Sequence, residues 1–211
     1  MNLYCYVIAS DAGIAPNYDP PFTTLAICKP RIRRGARVGD VILAFTGCKV
    51  SREPHAVRWA GVIAEKQTFA EYWNDRRFAG KKPSASDRSD NIYAPRVDGR
   101  GFERIENLAH GPKSKKRDLS GEFVLVLDPC WRFMGSRPIL PVGFGYRMPL
   151  TARRNHQRHQ LTVDAWQRLK SWLTTRQREV GRIPAASGTD RCASSVSRPM
   201  EGRARKRGAS C

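Results

Sequence analysis

The large apolar residues end abruptly at residue 183, and this break limits the part of the chain that can build a folded core. Residues 184–211 contain no Leu, Ile, Phe, Tyr or Trp and are dominated by Ala, Ser, Gly, Pro and Arg. A segment of that composition buries too little apolar surface to offset the entropy lost on ordering. We therefore predict one folded domain over residues 1–180, followed by a disordered basic tail over residues 184–211.

The net charge points to a polyanionic partner. Lys and Arg total 38 against 19 Asp and Glu, which gives a formal net charge of +19 in a chain of 211 residues. Only +4 of this lies in the tail, so the predicted domain retains +15. Because 40 % of the residues are hydrophobic, the chain can also build a core. We expect a folded basic domain that binds nucleic acid, DNA in preference to RNA.

Several classes of protein are excluded by what the sequence lacks. No run approaches the roughly 20 apolar residues that span a membrane, and the N-terminus lacks the cationic start of a secretory signal. The six cysteines form no CxxC pair, and the HxxH formed by His156 and His159 has no Cys or acid spaced to complete a zinc site. We expect a cytoplasmic protein with reduced thiols that contacts no membrane and binds no metal or cofactor.

Apolar periodicity predicts the secondary structure. Short apolar runs predict strands over residues 3–9, 24–28, 41–45 and 123–128, and an alternating pattern predicts a longer strand over residues 56–66. A short helix follows Thr68, with Glu71 completing a capping box, and Thr162 caps a C-terminal helix whose apolar face carries Trp166, Leu169, Trp172 and Leu173. The predicted fold class is α+β: a mixed, mainly antiparallel β-barrel with short flanking helices and a C-terminal helix.

Residues 79–122 carry the weakest secondary-structure signal within the predicted domain. The segment is polar, contains several turn signals and has few apolar anchors. A segment this long without strong periodicity inside a compact domain is usually functional or mobile. We therefore predict a functional or mobile loop here.

The densest cluster of charge precedes the third strand. Five cations stand within nine positions: Lys29, Arg31, Arg33, Arg34 and Arg37. Arginine binds phosphate bidentately, so this segment is a candidate phosphate-binding loop, with Lys29, Arg31, Arg33 and Arg34 as its contacts. The alternative is a solvated charged loop without a ligand.

Aromatic and short polar side chains could form a pocket for a base. The aromatic candidates are Trp59, Tyr72, Trp73, Tyr93 and Trp131. Bases stack on such rings, although Trp73 and Trp131 are also explained by core packing. Asp11, Asn17 and Asp19 could hydrogen-bond a base edge, although turn chemistry also explains them.

Catalytic signatures are few. The chain contains no GxSxG, P-loop, helix-opening GxGxxG, HExxH or deaminase motif. Two pairs could still meet on folding: Asp11 with His156 as acid and base, or Cys28 with His55 as nucleophile and base. The sequence does not choose between these pairs.

Several motifs resemble a known family. In order along the chain they are YVIASDAGIAPN, TLAICKPRIRR, VGDVIL, FAEYWNDRRFAGKKP and SDNIY. Together they resemble the second type of nucleotide modification associated domain, over about residues 2–175. That family is a bacterial and phage group linked by genomic context to the modification of nucleic-acid bases, or to the response to modified bases. The resemblance implies a role of this kind and leaves the biochemistry open.

A more distant resemblance concerns residues 38–73. The segment VGDVILAFTG followed by AVRWAGVIAEKQTFAEYW is similar to the core of PUA-like barrels of the EVE and ASCH type. Those barrels cage a flipped-out modified base between aromatic rings. The resemblance implies a cage formed by Trp59, Trp73 and Tyr93, base-edge contacts from Asp11, Asn17 and Asn91, and backbone contacts from the cationic segment.

Two main hypotheses of function follow. The first is a binding module that reads a modified or flipped-out base in DNA or RNA. The second is an enzyme that installs or edits a base modification with an acid in the pocket or His156. A third possibility is an accessory basic protein with affinity for phosphate alone.

Overall fold

The fold is a mixed α+β arrangement built on one large sheet. The computed structural model describes residues 1–8, 14–47, 56–83, 88–107, 110–133, 138–145 and 156–182. The strands are β1 (Asn2–Ile8), β2 (Thr23–Leu25), β3 (Val41–Thr46), β4 (Val57–Thr68), β5 (Tyr93–Pro95), β6 (Phe102–Arg104), β7 (Phe123–Arg132) and β8 (His156–Gln160). The α-helices are α1 (Pro30–Gly35), α2 (Phe69–Asn74), α3 (Lys115–Leu119) and α4 (Val163–Arg182).

Six strands form the main sheet in the order β2-β7-β4-β3-β1-β8, and β5 pairs with β6 in a separate hairpin. β1 and β3 run parallel, and the other neighbouring pairs are antiparallel. Within the described ranges no ladder joins the edge strands β2 and β8. The sheet is therefore large and mostly antiparallel, as predicted, while its closure into a PUA-like barrel stays a prediction.

Both faces of the sheet centre are buried. Along β1, Leu3 and Cys5 pack in one cluster with Leu169 and Leu173 of α4. Tyr4 and Tyr6 point to the opposite face, into a second cluster that includes Ile32 of α1. Alternate residues of a strand face opposite sides, so the nearly continuous apolar sequence of β1 suits a strand covered on both faces.

A third cluster extends the core beside the hairpin. Phe69 of α2 packs edge-to-face against Tyr93 of β5, with ring centroids 5.4 Å apart. The capping box that starts α2 is present: Thr68 accepts from the Glu71 amide, and the Glu71 carboxylate accepts from the Thr68 amide. This helix therefore begins where the sequence predicts.

The predicted strands and both predicted helices are present, with ends that differ by a few residues. Five further strands and α-helices were not predicted. The cationic segment contains a short helix, α1, and is not only a loop. The weakly patterned residues 79–122 contain β5, β6 and α3, and β8 follows later. The predicted tail lies outside the described residues. No helix in the described part of the chain combines the length and apolarity needed to span a membrane.

Candidate active site

The turn between β2 and α1 presents Cys28 beside a cavity. Cys28 and Lys29 have φ values of 60° and 43°, in the left-handed region that few non-glycine residues adopt. Pro30 then opens α1. Unfavourable backbone conformations of this kind are held by their surroundings and are frequent at functional sites.

Cys28 is the first member of a hydrogen-bonded series. Its Sγ lies 3.2 Å from Nε2 of His110, and Nδ1 of His110 lies 2.6 Å from Oδ2 of Asp118. The three residues come from the turn before α1, the segment before α3 and α3 itself. Thiol, imidazole and carboxylate therefore stand in the order used by nucleophilic enzymes, in which the acid orients the histidine.

The carboxylate of Asp118 is fixed from several sides. Asp118 is fully buried, and its Oδ2 also accepts from the Tyr93 hydroxyl at 2.9 Å. Its Oδ1 accepts from the backbone N–H of Cys28 at 3.2 Å. The acid is thus tied to both the base and the nucleophile segment, which holds the histidine in one orientation.

Buried Arg33 ties the same segments together. Its guanidinium donates to the carbonyl of Cys28 at 2.8 Å, to the carbonyl of Phe123 at 2.5 Å and to the carbonyl of Asp118. A Cβ at Gly121 would overlap this guanidinium group, so a glycine is needed there. Arg33 therefore acts as a tether between the turn, α3 and the start of β7.

Electrostatics favour a protonated histidine. Burial opposes the charge on His110, but hydrogen bonds and charge interactions with Asp118 and Cys28 outweigh it and raise its pKa to about 9. Burial would raise the pKa of Asp118, yet the bond to His110 and its other hydrogen bonds lower it. At neutral pH the site therefore holds a carboxylate and an imidazolium next to the sulfur. Such a neighbour activates a cysteine nucleophile.

A cavity of about 360 Å³ opens beside the sulfur. It is lined by Cys28, Lys29, Pro30, Arg31, Ile32, Arg117 and His156. Burial lowers the pKa of Lys29 to about 8, partly offset by the charge of Cys28. Burial and the nearby charges of Lys29, Arg31 and Arg158 also lower the pKa of His156, so this second histidine is neutral at neutral pH.

The three predicted cage rings lie in different surroundings. Trp59 is fully buried in the second cluster, edge-on to Tyr6 at 6.0 Å between centroids. Tyr93 is buried in the third cluster and bonded to Asp118. Trp73 is half-buried on α2, with the Lys82 ammonium 4.2 Å from its ring centroid. The structure does not bring these rings together at the cavity beside Cys28.

The predicted base-edge residues hold internal bonds where they are described. The Asn17 amide donates to the carbonyl of Arg88 at 2.7 Å, and its oxygen accepts from Lys81 Nζ at 2.8 Å. Asn91 donates to the carbonyl of Tyr72 at 3.1 Å. Asp11 lies outside the described residues.

The predicted phosphate contacts divide into two groups. Arg31 and Lys29 line the cavity, with Arg31 exposed and Lys29 half-buried against the Tyr6 ring. Arg34 is exposed elsewhere and lies 3.8 Å from Glu122, while Arg33 is the buried tether. The structure adds Arg117, which sequence reasoning did not select.

Sequence reasoning also missed His110 and Asp118. It offered His55 as the partner of Cys28, and His55 lies outside the described residues, as does the Asp11 offered to His156. Only four histidines occur in the chain, and one of them, His110, lies in the weakly patterned segment 79–122, for which the sequence predicts a functional or mobile loop. Pairing Cys28 with each of the four histidines in turn would have included the observed pair, Cys28 with His110. Only the fold distinguishes this pair from the others.

Cys28, His110 and Asp118 follow one another in a hydrogen-bonded series and do not surround a common point where a metal ion could bind. Across the described ranges, no group of three or more His, Cys, Asp or Glu side chains is placed to hold a metal ion. The arrangement can instead move one proton between sulfur, imidazole and a bound reactant while the carboxylate balances the imidazolium charge.

Comparison with known proteins gives one match. No curated protein and no solved structure matches the chain. The family model of nucleotide modification associated domain 2 matches residues 1–190, which is most of the chain and includes every residue of the site described above. The chain therefore belongs to the nucleotide modification associated domain 2 family, and its role is linked to nucleotide modification.

Proposed function

We propose that this protein is an enzyme of nucleotide modification in which Cys28 is the nucleophile. His110 is its acid–base partner, and Asp118 orients the histidine. The observation that carries the proposal is the bonded series from Cys28 Sγ through His110 to Asp118 beside a cavity. This is the enzyme hypothesis of the sequence, with a different pair of residues performing the chemistry.

The surroundings of the series support a catalytic role. Asp118 receives bonds from the Tyr93 hydroxyl and the Cys28 amide, so the histidine ring is fixed before any substrate binds. Fixed geometry of this kind lowers the barrier because little reorganisation is needed during reaction. A cavity of about 360 Å³ falls within the range of small-ligand sites.

The charge around the cavity supports a phosphate-bearing substrate. Lys29, Arg31 and Arg117 contribute to its lining, and the whole chain carries +19. Arginine and lysine bind phosphate through charge-assisted hydrogen bonds. Together with the family assignment, this supports a nucleotide, free or within a nucleic acid, as the substrate.

Site-specific alkylation tests the proposal. The full chain is treated with iodoacetamide at pH 7, and the labelling rate of each cysteine is followed by peptide mass spectrometry. A cysteine paired with an imidazolium reacts about tenfold or more faster than an ordinary thiol at this pH, so Cys28 should be labelled faster than Cys192 by that factor. His110→Gln should remove the difference.

Cys130 supplies the matched control. It is half-buried like Cys28, and burial raises its pKa to about 11. Cys130→Ser should leave the rate at Cys28 unchanged. Equal rates at Cys28 and Cys192 in the wild-type protein would contradict the proposed function.

A reader of modified bases is the second candidate. It is supported by the excess positive charge and by exposed cations near α1, among them Arg31 and Arg34. In this proposal the domain is PUA-like, and the base contacts are those predicted from the sequence: Asp11, Asn17, Trp59, Trp73, Asn91 and Tyr93. Lys29, Arg31 and Arg34 contact the nucleic-acid backbone, whereas Arg33, which the sequence also offered for this role, is buried and bonded to three carbonyls.

Oligonucleotide titration separates the two candidates. A reader prefers a modified over an unmodified strand, and Cys28→Ser leaves this preference intact, because sulfur chemistry plays no part in it. Each lost phosphate contact should reduce the slope of log affinity against log salt by about 0.9 on duplex DNA, so the double variant Arg31→Ala, Arg34→Ala should reduce it by about 1.8. A strand that Cys28 converts chemically identifies the enzyme.

A further inference from the structure

Cys28 and its cavity also restrict the class of bond on which the site acts. A histidine beside a thiol is useful where the bond to be broken has a poor leaving group. The histidine that takes the proton from the nucleophile can then give a proton to the leaving atom. Amines and alcohols bound to an acyl carbon are leaving groups of this kind. The series Cys28–His110–Asp118 supplies both proton steps from one ring nitrogen, Nε2 of His110.

The cavity restricts the size and charge of the substrate. Its volume of about 360 Å³ accommodates one small ligand and excludes a paired duplex. Arg31 and Arg117 contribute cationic guanidinium groups to the same lining as Cys28. A single nucleotide fits this description, either free or turned out of a strand, with its phosphate on the arginines and its modified part towards the sulfur.

We propose that the site cleaves an acyl group, joined through an amide or ester bond, from a phosphate-bearing nucleotide, and that it forms a thioester on Cys28. This inference rests on the proposed function and names its substrate class. The phosphate bound by Arg31 and Arg117 holds the nucleotide, and the acyl carbon lies next to Sγ.

The reaction has two balanced steps. In the first, the Cys28 sulfur adds to the acyl carbon, the C–N or C–O bond breaks, and protonated His110 gives its proton to the departing nucleotide amine or alcohol. In the second, water adds to the thioester carbon and gives a proton to His110. The C–S bond then breaks, the sulfur leaves as thiolate, and the carboxylic acid departs. The net change is hydrolysis of one acyl bond by one water molecule.

His156 lies on the same cavity and is neutral at neutral pH. It is not part of the hydrogen-bonded series, so the two-step scheme does not require it. The lining thus includes uncharged groups, His156, Pro30 and Ile32, beside its cations, which suits a substrate that carries both a phosphate and a neutral base or acyl group.

The test uses defined acylated nucleotides and the full chain. The probes are N4-acetyl-dCMP for an amide, 5-acetyloxymethyl-dUMP for an ester, the same two compounds without phosphate, and a single-stranded oligonucleotide carrying each modified base. Acetate release is measured, and intact-protein mass spectrometry after acid quench detects an acetyl group on the protein. We expect release from at least one probe, an acetyl group that maps to Cys28, and loss of both signals in Cys28→Ser.

The phosphate contact is tested on whichever probe reacts. Removing the phosphate or introducing Arg31→Ala should each lower kcat/KM about tenfold or more, and the two changes together should lower it no further. Arg168→Ala on the exposed surface of α4 removes the same charge and should change kcat/KM less than twofold. The larger kcat/KM between monophosphate and oligonucleotide identifies the natural source of the nucleotide.

Two outcomes would overturn the inference. Rapid alkylation of Cys28 without acetate release or acetyl-Cys28 from any probe would refute acyl cleavage while leaving the nucleophile in place. Equal kcat/KM for phosphorylated and unphosphorylated probes would refute the role of Arg31 and Arg117. Slow alkylation of Cys28 is a separate result, because it removes the proposed function itself.

Discussion

Two buried polar networks in this protein use similar residues and differ at their ends. In one, Asp90 accepts from Thr24 at 2.7 Å and from the Tyr72 hydroxyl at 2.8 Å, while Lys81 and Asn17 join each other at 2.8 Å nearby. In the other, Asp118 holds His110, which holds Cys28. The first network is enclosed by protein, whereas the second ends at a sulfur on a cavity.

The carboxylates of the two networks also differ in the direction in which the protein shifts their pKa values. Burial raises the pKa of Asp90, although Lys81 and several hydrogen bonds act in the opposite direction. Burial also acts to raise the pKa of Asp118, but the bonds from His110, Tyr93 and the Cys28 amide lower it overall. A buried acid that stays ionised beside an imidazolium can stabilise charge during a reaction. We therefore assign a structural role to the network around Asp90 and a chemical role to the network around Asp118.

The largest expected effect separates activity from stability at Cys28. Cys28→Ser should lower the turnover of a reactive substrate about 1,000-fold or more, because a hydroxyl in this position is a far weaker nucleophile than a thiolate. The midpoint of urea unfolding should change little, since the substitution retains the size of the side chain. A parallel loss of activity and stability would make Cys28 a structural residue like those around Asp90.

Asp90 should show the opposite behaviour. Asp90→Ala removes the buried acceptor of the Thr24 and Tyr72 hydroxyls, which then retain only each other, and such a loss costs about 1 to 3 kcal/mol of unfolding free energy. Urea denaturation measures this, with Asp98→Ala on the exposed hairpin as the control, for which a change under about 1 kcal/mol is expected. A change at Asp90 no larger than that at Asp98 would remove the structural half of the comparison.

Gly121 links the tether to the active site. A Cβ there overlaps the guanidinium of Arg33, which bonds to the carbonyls of Cys28 and Asp118. Gly121→Ala should reduce unfolding free energy by about 1 to 3 kcal/mol and slow alkylation of Cys28. Gly143→Ala is the matched control, because nothing lies within 4 Å of its added Cβ. Equal effects of the two substitutions would show that the tether does not hold the site.

The smallest effect concerns pH. The folded pKa of His110, about 9, exceeds the ordinary value of 6.5, so its stabilising contribution is complete below about pH 6.5 and is lost as pH rises through 9. The difference in unfolding free energy between the wild-type protein and His110→Gln should therefore be larger at pH 6.5 than at pH 9.5, by on the order of 2 kcal/mol. The lowered pKa of Lys29 makes the opposite contribution to the pH dependence of stability, and this contribution cancels because Lys29 is present in both proteins. A pH-independent difference would mean that His110 is not charged in the fold.

The sequence predicted elements well where periodicity was strong. The apolar runs of β1 and β3, the alternating pattern of β4, the capping box at Thr68 and Glu71, and the apolar face of α4 are all local patterns, and the structure contains each of these elements. The short elements of residues 79–122 were not predicted, because hydrogen bonds and contacts from distant parts of the chain hold them. Tyr93 illustrates this, since its hydroxyl bonds Asp118 and its ring packs on Phe69.

The site was harder to predict than the fold for the same reason. Cys28 and His110 are 82 positions apart and meet only after β2, α1 and α3 have assembled. Arg33 is indistinguishable from Arg31 and Arg34 in the sequence, yet it is buried while its neighbours are exposed. Helical geometry decides this difference, because α1 turns Ile32 and Arg33 inward and leaves the other two outside.

The alkylation rate of Cys28 in the wild-type protein and in His110→Gln tests the central claim most directly. Both proteins are treated with iodoacetamide at pH 7, where the raised pKa of His110, about 9, keeps its ring protonated, and Cys192 of the same molecule is the internal reference. Because an imidazolium activates a neighbouring sulfur, the ratio of the Cys28 rate to the Cys192 rate should be about tenfold or more higher in the wild type than in His110→Gln. Equal ratios in the two proteins would contradict the account.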